Sequence, residues 1–291
     1  MITITIIIIL IVYFVHKSNV ENYQKTDYYQ STHRDYSETF HDKGNYGEFL
    51  LYKYLQKYVS EGAKLIYNCY LPKDNGETTE VDMIMIHSSG IYVFESKNYS
   101  GWIFGSEYQN NWTQTLPSGR RASKEHFFNP IMQNKVHIKW IENIIGENKP
   151  IYSFIVFSER CTLKDIKVSS SDIYVLKRSD VAKLIDDISS RKGPVLSQTK
   201  IQYYYDLLNP YTQVDEITKK RHVNVIKERE INNSLADASI NAQILAGNTN
   251  NIRCPRCGGK LVLRTAQRGT YAGNQFYGCS NYPKCKFIKN N

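Results

Sequence analysis

Apolar and polar positions fall along the 291-residue chain in blocks of different period. Residues 2–15, ITITIIIILIVYFV, are apolar or uncharged without interruption and are followed by His16 and Lys17. As a helix this run covers roughly 22 Å, less than the ~30 Å hydrocarbon core, a gap that flanking residues and local bilayer thinning can close. No basic residue precedes it and no small-residue cleavage pattern follows, which predicts an uncleaved membrane anchor over 1–17 rather than a signal peptide. Lys17, Lys25 and Arg34 then favour a cytoplasmic side for the rest of the chain. A buried N-terminal strand is the competing reading. Residues 18–39 are polar, Tyr-rich and aperiodic, and predict a juxtamembrane linker.

From residue 40 the pattern becomes regular. GEFLLYKYLQKY (47–58) places apolar residues on one helical face, with Gly44 and Asn45 as start signals. KLIYNCYL (64–71), VDMIMIH (81–87) and IYVFES (91–96), separated by turn residues at 73–78 and 88–90, predict a strand meander. PIMQNKVHIKWIENII (130–145) returns to helical spacing, with Pro130 at a first-turn position. IYSFIVFS (151–158), DIYVL (172–176) and the helix-like RSDVAKLIDDIS (178–189) complete an α/β domain over 40–212. Residues 213–251 are charged, then Asn- and Ala-rich, and read as an exposed helix running into a linker. A small separate module fills 252–291. No internal repeat is present.

Charge sharpens that division. The chain has 37 Lys and Arg against 28 Asp and Glu, a net charge of +9, and eight of the 37 lie in 253–291, which has no acidic residue. The basic excess therefore belongs to the C-terminal module and points to a polyanion such as nucleic acid, with solvated lysines as the bland alternative. Of the six cysteines, Cys69 and Cys161 sit alone in apolar runs and read as inert buried thiols. Cys254-Pro-Arg-Cys257-Gly-Gly is a zinc knuckle, and Cys279 and Cys285 supply a second thiolate pair, together a closed four-sulfur zinc site. A redox C-x-x-C would need a βαβ setting that is absent.

The α/β domain carries one chemically informative stretch, Asp82 followed by Glu95-Ser96-Lys97. If 81–87 and 91–96 pair as a hairpin, Asp82 and Glu95 share one strand end, where two carboxylates can hold Mg²⁺ or Mn²⁺ against a phosphate. Lys97, two residues after Glu95, lies on the same strand face and can position water and offset developing charge. Glu48 could complete the acidic set. As bare spacing this is a weak pattern, but charges at the ends of apolar strands usually have a reason. His41 and His87 read as surface groups, and His137 as structural although it shares a helical face with Gln133.

GNYGEFLLYKYL (44–55), EVDMIMIHSSGIYVFESKNYSGWI (80–103) and NPIMQNKVHIKWI (129–141), in this order, resemble the nuclease-related domain family, within the restriction-endonuclease-like superfamily with its D…(D/E)-x-K site. The resemblance covers about 40–160 and implies a mixed central sheet flanked by helices. It places Glu48, Asp82, Glu95 and Lys97 on the family's motif positions and Gln133 on its later polar one. Ser96 stands where a branched apolar residue is more usual, on the strand face away from the chemistry. CPRCGGKLVLRTAQRGTYAGNQFYGCSNYPKCKF (254–287), above all its FYGCSNYPKC run, resembles the zinc ribbons at the C-termini of type IA DNA topoisomerases. That likeness implies DNA binding, single-stranded in particular. Tyr271, Phe276, Tyr277, Tyr282 and Phe287 offer stacking faces, though some must pack the ribbon's core. Arg256, Lys260, Arg264, Arg268, Lys284 and Lys286 are placed to meet phosphates. The sequence thus predicts a membrane-anchored, metal-dependent nuclease acting on DNA, with a non-catalytic DNA tether as the alternative and RNA as a possible substrate.

Overall fold

The computed structural model describes residues 2–118, 121–245, 252–267, 273–285 and 287–290. They form two compact units, Met1–Glu216 and Ile217–Asn291.

The first unit begins with helices α1 (Ile2–Gln24), α2 (Asp27–Thr32), α3 (Tyr36–His41) and α4 (Lys43–Ser60). Strands β1 (Lys64–Pro72), β2 (Thr78–His87) and β3 (Gly90–Lys97) follow, then β4 (Gly101–Ser106), β5 (Asn111–Ser118) and β6 (Arg121–Phe128). Next come α5 (Pro130–Ile145), β7 (Ile151–Phe157), β8 (Cys161–Lys167), β9 (Ile173–Lys177), α6 (Val181–Lys192) and α7 (Gln198–Leu208). The central sheet runs β1-β2-β3-β7-β9, antiparallel through β3 and parallel from β3 to β9. The mixed α/β fold matches the expectation from the sequence. Its parallel half is buried on both faces, which is why IYSFIVF reads as one continuous apolar run.

Strand alternation sorts the core into two layers. Tyr92, Phe94, Met83 and Met85 point to one face, where α4 supplies Leu51, Tyr52 and Leu55 and α6 supplies Val181 and Ile185. Ile91, Val93, Ile84 and Ile86 point to the other, under Ile141 of α5 and Ile201 and Tyr204 of α7. Asp42 caps α4 by accepting the Asn45 amide at 2.8 Å, and Asn129 caps α5 by accepting the Ile131 amide at 2.9 Å with Pro130 in the first turn.

Two features depart from the sequence expectation. The linker expected over 18–39 is helical and reaches the core. Tyr23 and Tyr28 are buried beside Leu51 and Tyr52, and the Tyr23 hydroxyl donates to the Arg34 carbonyl at 2.8 Å. Aromatic side chains spaced without a strict period escaped the pattern, because the end of α1 and the two short helices α2 and α3 turn them inward one at a time. Secondly, residues 101–128, too polar to show a strand period, form with β8 a second sheet of order β6-β5-β4-β8. Its core is Ile103, Trp112, Ile131 and Phe157, with Trp112 stacked on Phe157 at 6.1 Å. His87, expected at the surface, is buried with its Nδ1 2.8 Å from the Ser89 hydroxyl. Cys69 and Cys161 are buried as expected, and burial pushes the Cys69 thiol up to about 12.

The second unit holds α8 (Glu216–Leu245) and a three-stranded sheet of β10 (Leu261–Thr265), β11 (Gln275–Cys279) and β12 (Ile288–Asn290). The linker expected at its end, 246–251, lies outside the described residues. The small core consists of Ile240, Ile252, Leu261 and Tyr277 with three of the four cysteines.

Candidate active site and zinc module

The β2–β3 hairpin carries the acidic cluster. Its register pairs His87 with Gly90 and Met83 with Phe94, so the next step brings Asp82 opposite Glu95. The Ser96 amide donates to Asp82 Oδ2 at 2.8 Å and ties the two strand ends together. By the same alternation that sends Ile91 and Val93 toward α5, Glu95 and Lys97 face that helix. Asn134 fixes the helix there, donating its amide to the Val93 carbonyl at 2.9 Å and to the Ser153 hydroxyl at 2.9 Å.

Glu95 is 1% exposed, yet both its oxygens are engaged. Lys97 Nζ lies 2.6 Å from Oε1, and His137 Nε2 lies 3.2 Å from Oε2. Gln133 Oε1, one turn before His137 on α5, is 3.4 Å from Lys97 Nζ. His137 Nδ1 is 2.8 Å from the Thr79 hydroxyl. A carboxylate can only accept, so the ionised Glu95 assigns the imidazole hydrogen to Nε2 and leaves Nδ1 to accept from Thr79. Burial opposes ionisation of Glu95, but Lys97 and then His137 outweigh it and hold the carboxyl below its usual range. Burial likewise pulls Lys97 down, and the Glu95 and Asp82 charges more than reverse that, so the ammonium is held charged.

Asp82 is in the opposite condition. Burial and the charges of Glu95 and Glu48 push its carboxyl well above the usual value, against Lys97 and the Ser96 amide. Glu48, on α4, is raised by burial and by Glu80 and Glu95 despite a direct ion pair, Arg34 Nη1 to Glu48 Oε2 at 2.5 Å. Arg34 Nη2 also donates to Asn68 Oδ1 at 3.2 Å, where Asn68 adopts a left-handed backbone, φ 49°. Asp82 and Glu95 act on Lys97, while Glu48 is engaged by Arg34; the first two are carboxyls of the kind a hard divalent cation such as Mg²⁺ takes.

The structure thus brings Asp82, Glu95, Lys97 and Gln133 together and keeps Glu48 within electrostatic reach. Sequence reading assigned His137 and Arg34 otherwise. His137, read as structural, touches Glu95, and the spacing of four from Gln133 was its signal. Arg34, read as a flanking charge, pairs with Glu48, and nothing local in the sequence marks that.

In the second unit the sulfurs of Cys254, Cys257, Cys279 and Cys285 lie within 4.8 Å of one another. Cys254 and Cys285 Sγ are 3.7 Å apart, and Cys257 and Cys279 Sγ 3.3 Å. A tetrahedron with Zn–S bonds of about 2.3 Å has edges of about 3.8 Å, so the four thiolates fit a structural zinc ion. Gly258 takes φ +69°, and a Cβ on Gly259 would stand 3.3 Å from Cys279 Sγ, so both glycines are required by the knuckle. Arg256, Lys260, Arg264 and Lys284 are exposed, and Tyr282 is 63% exposed. Tyr277, expected as a stacking face, is corrected: it is 5% exposed and packs the ribbon's core with Leu261, because β11 alternation turns it inward. Arg268, Tyr271 and Lys286 lie outside the described residues.

Fold and site together define a mixed α/β protein with a buried carboxylate–lysine cluster, joined in one chain to a four-cysteine ribbon. The model of the nuclease-related domain matches residues 43–158, and that of the topoisomerase DNA binding C4 zinc finger matches 251–291. An uncharacterised protein of Bacillus anthracis is 33% identical over 187 residues, 64% of this chain and 85% of that protein. DNA topoisomerase 1 of Methanocaldococcus jannaschii is 59% identical over 36 residues, 12% of this chain but only 4% of the enzyme, so that likeness concerns the ribbon alone. The protein YrdD of Escherichia coli is 42% identical over 40 residues, 14% of this chain and 19% of YrdD. No solved structure matches significantly. The chain belongs to the nuclease-related domain family.

Proposed function

We propose that this protein is a membrane-anchored nuclease that hydrolyses DNA phosphodiester bonds with Mg²⁺ or Mn²⁺. The observation that carries the reading is the Asp82–Glu95–Lys97 cluster at one strand end, an oxygen-rich site with a charged lysine built into it. Asp82 and Glu95 would hold the cation, with Glu48 assisting. When bound, the ion would polarise the scissile phosphoryl group and lower the pKa of water. Lys97, held protonated by Glu95 and Asp82, is suited to orienting the attacking water and stabilising transition-state charge rather than to accepting a proton. Gln133 offers a hydrogen bond toward the same water, and His137 keeps Glu95 ionised and oriented.

The ribbon would bind the DNA strand, with Tyr282 as a stacking platform and Arg256, Lys260, Arg264 and Lys284 on phosphates, an arrangement suited to single strands. α1, apolar and exposed along Ile4–Val15, supports the anchor.

A soluble fragment lacking residues 1–20, assayed on single- and double-stranded DNA with Mg²⁺ or Mn²⁺, tests the reading. Cleavage should need the metal and fall at least about 10²-fold in Asp82→Ala and in Lys97→Ala. A fragment that binds DNA but never cuts it would favour the tethering alternative, and cleavage confined to RNA would correct the substrate.

A further inference from the structure

The first unit has a cavity of about 260 Å³ between the start of α4 and the chain that follows β7 and β9, and Lys43, Tyr46, Asn98, Glu159, Arg160 and Arg178 line it. Asn98 directly follows Lys97, and α4 also carries Glu48, so the cavity and the proposed cleavage site share both supports. Arg178 is 1% exposed, and its guanidinium is poorly compensated. Nη1 is 3.3 Å from Glu159 Oε2, Nη2 is 3.5 Å from Asn98 Oδ1, and Nε has no hydrogen-bond partner among the described residues. Glu159 is itself 44% exposed, so water screens the charge it offers. A buried cation with donors to spare asks for an anion.

The surroundings supply the rest of an anion site. Arg160 is exposed and spends Nη2 on Asn98, 2.7 Å from its carbonyl and 3.1 Å from Oδ1, which leaves its other donors free to reach the cavity. Asn98 in turn donates to the Lys43 carbonyl at 2.5 Å, and Gly47 permits this close approach, since a Cβ there would stand 2.9 Å from that of Asn98. Lys43 and the positive end of the 18-residue helix α4 lie at the cavity mouth. Of the two acidic members, Asp42 is occupied in capping α4 through the Asn45 amide, and Glu159 faces Arg178.

We propose that this cavity binds a backbone phosphate of the nucleic-acid strand next to the one presented to the acidic cluster, with Arg178 and Arg160 as its ligands and Lys43 at its rim. The proposal rests on the nuclease reading for the strand's identity, and it extends the binding surface beyond residues 43–158, since Arg160 and Arg178 both lie outside the matched domain.

The test uses the full-length protein in detergent micelles without added Mg²⁺, irradiated with a short oligothymidylate carrying 4-thiothymidine, with adducts mapped by mass spectrometry. Adducts are expected on the 40–46 segment, and they should fall about tenfold in Arg160→Gln, whose exposed side chain can be changed without unfolding the protein. Arg178→Gln should lose them further, with thermal unfolding checking its fold, and Asp82→Ala should keep them. Adducts confined to 252–290, none within 2–216, or yields unchanged in Arg160→Gln would overturn the proposal. So would stabilisation of wild type over Arg160→Gln by inorganic phosphate with no adduct from the strand, which would mark a free-phosphate site. An inactive enzyme that still gives the Arg160-dependent adduct would sink the nuclease reading and leave this site standing.

Discussion

Glu95 accepts from two cationic or polar donors that come from different elements, and that sharing sets the electrostatics of the whole cluster. Replacing His137 with Ala would leave one buried Glu95 oxygen and the Thr79 hydroxyl without a partner, which should lower stability by about 1–3 kcal/mol in urea denaturation. Arg34→Ala acts on the neighbouring carboxyl. It strands a largely buried Glu48 and should cost about 3–5 kcal/mol, and adding Glu48→Gln to the same chain should recover part of that loss. If the single and double variants were equally unstable, the ion pair would not be the cause. His87 provides a pH readout away from the cluster. Burial holds its pKa below the usual value, against the weaker pull of Glu61 and Asp186. The unfolded chain therefore binds a proton near pH 6.5 that the folded chain resists, so this contribution to stability is present above about 6.5 and is lost as pH falls toward 5. His87→Gln should flatten the urea midpoint over that window.

Elements differ in how openly the sequence displays them. α4, β1–β3, α5, β7 and β9 were legible because each buries one face or both, and burial imposes a period on the residues. β4–β6 were not, because one side of that sheet is solvated and its strands carry Gln114, Lys124 and Glu125 among their apolar positions. In the ribbon the metal replaces the missing core. Among the described residues its apolar cluster is Ile240, Ile252, Leu261 and Tyr277 plus three cysteines, with Phe287 packed against them, too little for a stable fold without zinc. Chelation, or Cys254→Ser, should therefore abolish hydrogen-exchange protection in β10–β12 and leave that of β1–β3 and β7 intact. Gly259→Ala should loosen the same segment, since the new Cβ would meet Asn281 Nδ2 at 2.8 Å.

At the scale of the whole molecule, α1 joins an exposed apolar run to the domain core. Its 23 residues measure about 35 Å, longer than the apolar run alone, and its far end delivers Tyr23 to the domain core. Removing residues 1–20 should give a soluble protein with the stability of the full domain, whereas removing 1–35 takes away Tyr23, Tyr28 and Arg34 and should cost several kcal/mol, measured by thermal or urea unfolding. Carbonate-washed membranes should retain the full chain and release the first truncation; release of the full chain would refute the anchor.

The residue order by itself determined the zinc ligands, the periods of the central sheet and the Asp82–Glu95–Lys97 set, because each depends on spacings within one turn, one hairpin or one strand. Tertiary structure alone decided which groups complete them. Arg34 lies 14 residues from Glu48, His137 42 residues from Glu95, and Arg178 80 residues from Asn98. Pairings over such separations follow from which helix covers which strand end, and that depends on packing across the sheet, where no local period operates.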